Sequence, residues 1–433
     1  MSVFRAISRG LAHVNAKPAR TVVHCIARDP NLTLAHNRSI SNARGGSKFK
    51  VLGIETSCDD TGVAIVDSDR VLLGDAIHNQ SQIHIENGGI LPPVAGHLHR
   101  ANMELVANQA LAAAGLSMSD IDVVAATVKP GLSLSLEVGT KYGCHLSKMW
   151  KKPFIPIHHM EAHALMARMV DESVKFPFLV LLISGGHCLL ALVESVDSFL
   201  LIGTTVDNSP GEVFDKLHRR LKLRNVPELS KLSGGHAIEI MAQRASNYLE
   251  FPLEIPATQS LSCDFSFSGM LTKCTRTIET EEQKYGTSAD AVIESAPNLC
   301  AAVQMCIAKQ LCRRVERAII FLSRKGMMPP DKCSLVVSGG VAANKFISKA
   351  LKMVCDTYDY HLSVPPPHLC NDNGVMIAWN GVERFRENLG VLQWDQLASV
   401  KVSSRSPLGR DIRPDVVDAN ISRVKYVKLT GLM

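Results

Sequence analysis

Three apolar runs in this sequence each break off in a turn of glycine, serine, threonine or aspartate, and no other feature limits the fold as strongly. The first is "FKVLGIETSCDDTGVAIVD", Phe49 to Asp67, where two runs flank Thr56, Ser57, Asp59, Asp60, Thr61 and Gly62. It reads as strand, tight polar bend, strand. The second is "FLVLLISGGH" and the third "CSLVVSGGVAANKFI", each a buried strand ending in Ser-Gly-Gly, with the latter opening a helix. Glycine there admits close backbone approach, and such turns aim N–H groups at phosphate oxygens. One such turn means little; three in order predict a nucleotide held in a cleft between two lobes.

Between the turns, strands alternate with helices. A helix is expected from about His97 to Ala114, a strand over Val123–Val128, a Pro130-Gly131 turn, and a helix around Leu136 to Lys148. That alternation predicts α/β architecture with mixed sheets. The 433 residues exceed one compact core and suit two domains. The division expected is a leader at 1–48, lobe I from 49–168 plus 368–433, and lobe II from 169–367.

Charge is unevenly placed. Residues 1–50 carry nine Lys or Arg against Asp29, a net +8, which leaves −2 for the rest of the +6 total. A basic, serine-containing, acid-poor leader without a long apolar core predicts a mitochondrial presequence, and hence the matrix. Without it the chain is nearly neutral, so overall charge argues for no polyanion. The greasiest stretch, Phe176 to Val193, is broken by Ser184-Gly185-Gly186-His187, so no membrane span is expected. Twelve cysteines without a C-x-x-C pair fit a reducing compartment rather than a zinc ribbon or disulfide framework.

His159-Met160-Glu161-Ala162-His163 is the sharpest local signal. At about 100° per residue, positions i and i+4 share a helix face, the spacing that offers two imidazoles to one ion. An isolated H-x-x-x-H is usually structural, so a third ligand is needed. Asp372, in "LCNDNGVMIAW", supplies a carboxylate at a polar turn before a helix. Two His and one carboxylate suit iron(II) or zinc. A zinc peptidase would put its glutamate next to the first histidine; here Met160 stands there, and Glu161 lies about 200° around the helix from His159.

In order, HMEAH, SGGH, GEVFDK, DFSFSGM, SGGVAAN and NDNG resemble the tRNA N6-adenosine threonylcarbamoyltransferase family, in its mitochondrial branch, over nearly all of residues 49–390. The resemblance implies the two-lobed fold of actin, Hsp70 and sugar kinases with a central nucleotide cleft. It implies one divalent metal ion, iron or zinc, on His159, His163 and Asp372. It implies that Leu182, Ile183, Ser184, Gly185 and Gly186 hold an acyl-adenylate, with Asp215 on the ribose, Gly235 and Glu239 in the following segment, and Asn344 beside the nucleotide, with ATP or ADP as a further occupant of the cleft. No residue serves as a covalent nucleophile. The implied reaction moves threonylcarbamoyl from threonylcarbamoyl-AMP, made by a separate synthase, to N6 of the adenosine just after the anticodon. AMP leaves. The tRNAs are those reading codons that start with A, and the working form is a homodimer.

Some positions depart from the family pattern. Lys129 in "TVKPGL" replaces a glycine, Pro92-Pro93 in "ILPPVAG" removes a carboxylate, and Leu232-Ser233-Gly234-Gly235 follows a longer spacer. Basic candidates for tRNA are His218 to Lys231 and the tail from Lys401, including Arg413, Arg423, Lys425 and Lys428. Two other readings stay open: a small-molecule kinase of the same fold, which leaves HMEAH unexplained, and a non-catalytic nucleotide-dependent scaffold.

Overall fold

The computed structural model describes residues 48–87, 89–255, 260–288, 290–329, 333–422, 424–429 and 431–432. The leader expected over 1–48 therefore lies outside the described residues except for Lys48, as does Arg423. The chain forms two compact units: one runs up to Pro156 with Asn373–Ala378 and Leu392–Val402, the other holds Ile157–Asp372, Trp379–Val391 and Ser403–Met433.

In the first unit, β1 (Lys50–Glu55) and β2 (Asp60–Asp67) form the expected hairpin, with Ile54 opposite Val63 and Glu55 opposite Gly62. Adding β3 (Leu72–Asn79), β4 (Val123–Lys129) and β5 (Phe154–His158) gives a five-stranded sheet in the order β3-β2-β1-β4-β5. β1 pairs parallel with β4, so the sheet is mixed. Its strands β1, β2 and β4 are buried almost throughout, as continuous apolar runs require when both faces are covered. α1 (Pro92–Ala114) begins five residues before the sequence-based start at His97. Proline at the first helical turn needs no N–H and already holds a helical φ, so Pro92 starts the helix rather than delaying it. α2 (Ser133–Trp150) follows β4.

The second unit repeats this plan. β6 (Phe178–Ile183) and β7 (Cys188–Val193) form a hairpin, β8 (Phe199–Thr204) extends it, and β9 (Ser334–Ser338) runs parallel to β6 on its other side. With β10 (His361–Ser363) and β11 (Arg410–Asp411) the order is β10-β9-β6-β7-β8-β11. Apart from the edge strand β11, this is the first sheet's order read from the other end. The longer helices of this unit are α3 (His159–Val170), α4 (Pro210–Arg220), α5 (Gly234–Ala242), α6 (Ser268–Tyr285), α7 (Ala296–Arg324) and α8 (Lys345–Tyr358). α9 (Gly374–Arg386) begins in the first unit and ends in the second.

The division drawn from sequence gave residues 157–168, 368–372, 379–391 and 403–433 to the first lobe; contacts group them with the second unit. The reason is what holds α3. Trp379 Nε1 donates to Leu165 O at 3.1 Å, Arg168 Nε pairs with Glu383 at 2.9 Å, and Arg384 pairs with Glu161 at 2.5 Å. No helix among the described residues is long and apolar enough to cross a membrane.

Candidate metal centre and adjoining loops

α3 presents its two histidines as the i, i+4 spacing requires. His158 caps the helix, its Nδ1 accepting the Met160 N–H at 3.2 Å, which fixes the first turn. The His159 and His163 rings then lie 4.6 Å apart between centroids, with planes at 87°. Glu161 faces elsewhere, onto Arg384, as its phase on the helix demands.

Asp372 meets this face from the bend between the short helix Pro367–Cys370 and α9. One oxygen, Oδ1, lies 3.0 Å from His163 Nε2 and 3.5 Å from His159 Nε2. The donor atoms of all three residues fall within 4.8 Å of one another. Both histidines are buried and Asp372 is half-buried. Burial opposes ionisation of Asp372, but the His159 and His163 imidazoles outweigh it and hold the carboxyl well below the usual carboxylate range. Two imidazole nitrogens aimed at one carboxylate oxygen form the donor set that borderline divalent ions prefer. The residues fit such an ion.

His187 joins them. Burial, followed by the nearby His159 and His163, pushes its imidazole pKa down to about 4, so it is neutral at physiological pH. The loop before it is shaped by serine: Ser184 Oγ accepts from the N–H groups of Gly186 (3.3 Å) and His187 (3.1 Å), which turns both amides toward one point. Ser209, the N-cap of α4, donates to Gly185 O at 2.6 Å. Gly211 completes this contact, since a Cβ there would lie 2.7 Å from Gly185 Cα. By contrast, a Cβ at Gly185 or Gly186 would meet open space.

The second Ser-Gly-Gly turn packs directly on the first. Gly339 holds φ +100°, and a Cβ there would stand 2.4 Å from Ile183 O. Gly340 in turn faces Asn371 Oδ1, beside Asp372. The structure thus brings Leu182 to Gly186, His187, Gly339, Gly340 and the metal-ligand trio into one neighbourhood of the second unit. The sequence had this Ser-Gly-Gly opening a helix; Gly340–Ala343 first form a single 3-10 turn, and Asn344 then caps α8, which starts at Lys345.

The remaining expected site residues form a connected row. Asp215 lies on α4 with Oδ1 against Gly234, where a Cβ would sit 2.3 Å away. Gly235 is the next residue of α5, and Glu239, one turn on, accepts the Lys345 N–H at 2.8 Å. Asn344 is buried and engaged at both ends: Oδ1 accepts from Ile347 N at 3.0 Å, and Nδ2 donates to Gln304 at 3.0 Å. Its side chain is a structural link between α7 and α8.

Comparison with known proteins decides the family. The family described as tRNA N6-adenosine threonylcarbamoyltransferase matches residues 71–379. The chain belongs to this family. The mitochondrial tRNA N6-adenosine threonylcarbamoyltransferase of Rattus norvegicus is 48% identical over 88% of this chain and 91% of its own length. That of Homo sapiens is 47% identical over 88% and 90%, and a relative from Orientia tsutsugamushi is 36% identical over 79% and 95%. Among solved structures, T. kodakarensis HypF is similar at 13% identity and a TM-score of 0.46, covering 81% of this chain and 49% of that one. As a threonylcarbamoyltransferase family member the protein is a transferase with two mixed sheets flanked by helices, and the Rattus norvegicus and Homo sapiens relatives are named as mitochondrial.

Reading the sequence gave His187 no role of its own. Its one signal was position: the residue after Ser-Gly-Gly immediately precedes β7, so its side chain starts where the loop ends.

Proposed function

We propose that this chain transfers the threonylcarbamoyl group of threonylcarbamoyl-AMP to N6 of the adenosine just after the anticodon in mitochondrial tRNAs reading codons that start with A, releasing AMP in the matrix. The observation that carries this reading is the convergence of His159 Nε2 and His163 Nε2 on Asp372 Oδ1, next to a glycine loop with two amides turned toward one point. His159, His163 and Asp372 would hold one divalent ion, iron or zinc, whose Lewis acidity polarises a bound carbonyl.

The chain's own part is positioning. The Ser184–Gly186 loop would lie against the adenylate phosphate, where dipoles already fixed by the loop's own hydrogen bonds offset negative charge without reorganising. Gly185 and Gly186 leave room for the phosphate to approach, since neither carries a Cβ. Asp215 takes the ribose, and Gly235, Glu239 and Asn344 shape the wall beside it. Neutral His187 stands at the loop's end without adding charge that would compete for the phosphate. The carbonyl already carries a good leaving group, so alignment with the adenosine amine supplies the rate without a protein nucleophile. The acyl donor comes from a separate synthase, ATP or ADP is a further occupant of the nucleotide site, and the enzyme acts as a homodimer.

Incubation with threonine, bicarbonate, ATP, a threonylcarbamoyl-adenylate synthase and unmodified tRNA tests the reading. Nucleoside mass spectrometry should find threonylcarbamoyladenosine, dependent on this chain. Unmodified adenosine in every tRNA under these conditions would overturn it.

A further inference from the structure

A cavity of about 310 Å³ lies between α7 and the C-terminal tail, away from the residues assigned to catalysis. Its chemistry comes from Lys309, Arg313 and Glu316 on α7, from Tyr426 and Lys428 on the tail, and from Tyr248 at the rim. The α7 residues stand at i, i+4 and i+7, which is one helix face. The tail is stapled over them: Val427 N–H donates to Glu316 Oε2 at 2.9 Å, and Tyr426 OH accepts from Arg317 at 2.8 Å. Arg313 lies 5.0 Å from the centre of the Tyr426 ring.

Two demands are left unmet there. Among the described residues, Lys309, Arg313 and Lys428 form no ion pair. Of the two basic stretches picked from sequence, the tail supplies Lys428, whereas in His218 to Lys231 Arg220 and Lys222 both reach Glu282 at 2.7 Å. Glu316 is fully buried, and its Oε1 has no hydrogen-bond partner, a state that costs free energy until a partner arrives. A bare anion would satisfy the cations and leave Glu316 Oε1 without a hydrogen-bond partner; a bare cation would be repelled by the three cations. A group that carries a phosphate and a hydroxyl satisfies both, and the volume falls in the range of small-ligand sites.

We propose that this cavity is a second ligand site, one that takes a ribose phosphate, with the phosphate on Lys309, Arg313 and Lys428 and a ribose hydroxyl, able to donate or accept, as the partner of Glu316 Oε1. Tyr248 offers a ring at the rim for the base. A free mononucleotide and the backbone of an RNA share this chemistry. The RNA source rests on the function proposed above; the mononucleotide source does not.

The test uses the full chain and the double variant Lys309→Glu/Lys428→Glu, neither residue being part of the proposed catalytic site. Titration calorimetry with AMP should show one site fewer in the variant than in wild type, with equal thermal midpoints. If the adenylate reading of the Ser-Gly-Gly loop fails, both counts drop by one and the difference between them survives. Glu316→Gln should weaken AMP at this site about tenfold while inorganic phosphate binds as tightly as before. Filter binding of unmodified tRNA identifies the source. A fall in affinity, with a salt slope smaller by about 2, points to RNA backbone; unchanged tRNA binding with lost AMP points to the mononucleotide. Equal AMP and equal tRNA binding by wild type and variant would overturn the proposal, and so would phosphate binding that a ribose does not strengthen.

Discussion

His163 is the residue on which the metal reading turns, because its Nε2 makes the shortest contact to Asp372 and the rest of the ring is buried. Replacing it by alanine removes one of three ligands but leaves the links that hold α3, Trp379 to Leu165, Arg168 to Glu383 and Glu161 to Arg384. His163→Ala should therefore keep the fold while bound metal, measured by elemental analysis, falls at least about tenfold, and threonylcarbamoyl transfer falls with it. Full transfer by metal-free protein would end the role. This trio was legible in the sequence because helix geometry puts i and i+4 on one face whatever surrounds them. His187 was not, since its standing depends on how the hairpin β6–β7 meets α3, and no local pattern encodes that meeting.

The pairing of the two Ser-Gly-Gly turns sets a test for the elements that carry them. Gly339 needs a positive φ and has no space for a Cβ, which would press on Ile183 O at 2.4 Å. Gly339→Ala should cost about 2 kcal/mol or more and lower the thermal midpoint by about 4 °C or more, since the parallel pairing of β6 and β9 ends at this contact. Gly185→Ala is the control, with open space around the added carbon, and should leave the midpoint unchanged within about 1 °C. Similar midpoints for the two variants would remove the packing argument. Both hairpins were legible as apolar runs around polar turns, a pattern with period and punctuation. α7 was not singled out, although at 29 residues it is the longest helix described. It is buried on nearly every side, so its apolar residues do not mark one face, and periodicity is the signal a reader uses. Its buried Arg314, Glu316 and Arg317 further blur any contrast between inside and outside.

For the molecule as a whole, the repeated sheet order gives each unit a central hairpin, β1–β2 in one and β6–β7 in the other, whose turn is rich in small and polar residues. Stability, unlike that plan, depends on a few ionisable groups, and Glu316 is the one with the clearest consequence. Burial pushes its carboxyl from the ordinary 4.5 up to about 7, against the Val427 N–H and Tyr358 bonds and the positive charge of Arg313. The other titratable groups around it are Lys309 and Cys312 on its own helix, with Tyr248, Tyr426 and Lys428 from the segments packed against it. Between pH 4.5 and 7 the unfolded chain has released this proton while the folded chain keeps it. Stability must then fall as pH rises through that window and level off above it. The loss is roughly 3 kcal/mol, spread over the interval. Thermal melts from pH 5 to 8 should show the midpoint declining in the wild-type protein, and Glu316→Gln, which has no proton to lose, should flatten that part of the profile and melt higher than wild type at pH 8. Parallel profiles for the two proteins would mean that Glu316 is ionised throughout and that its burial is compensated by the cations beside it.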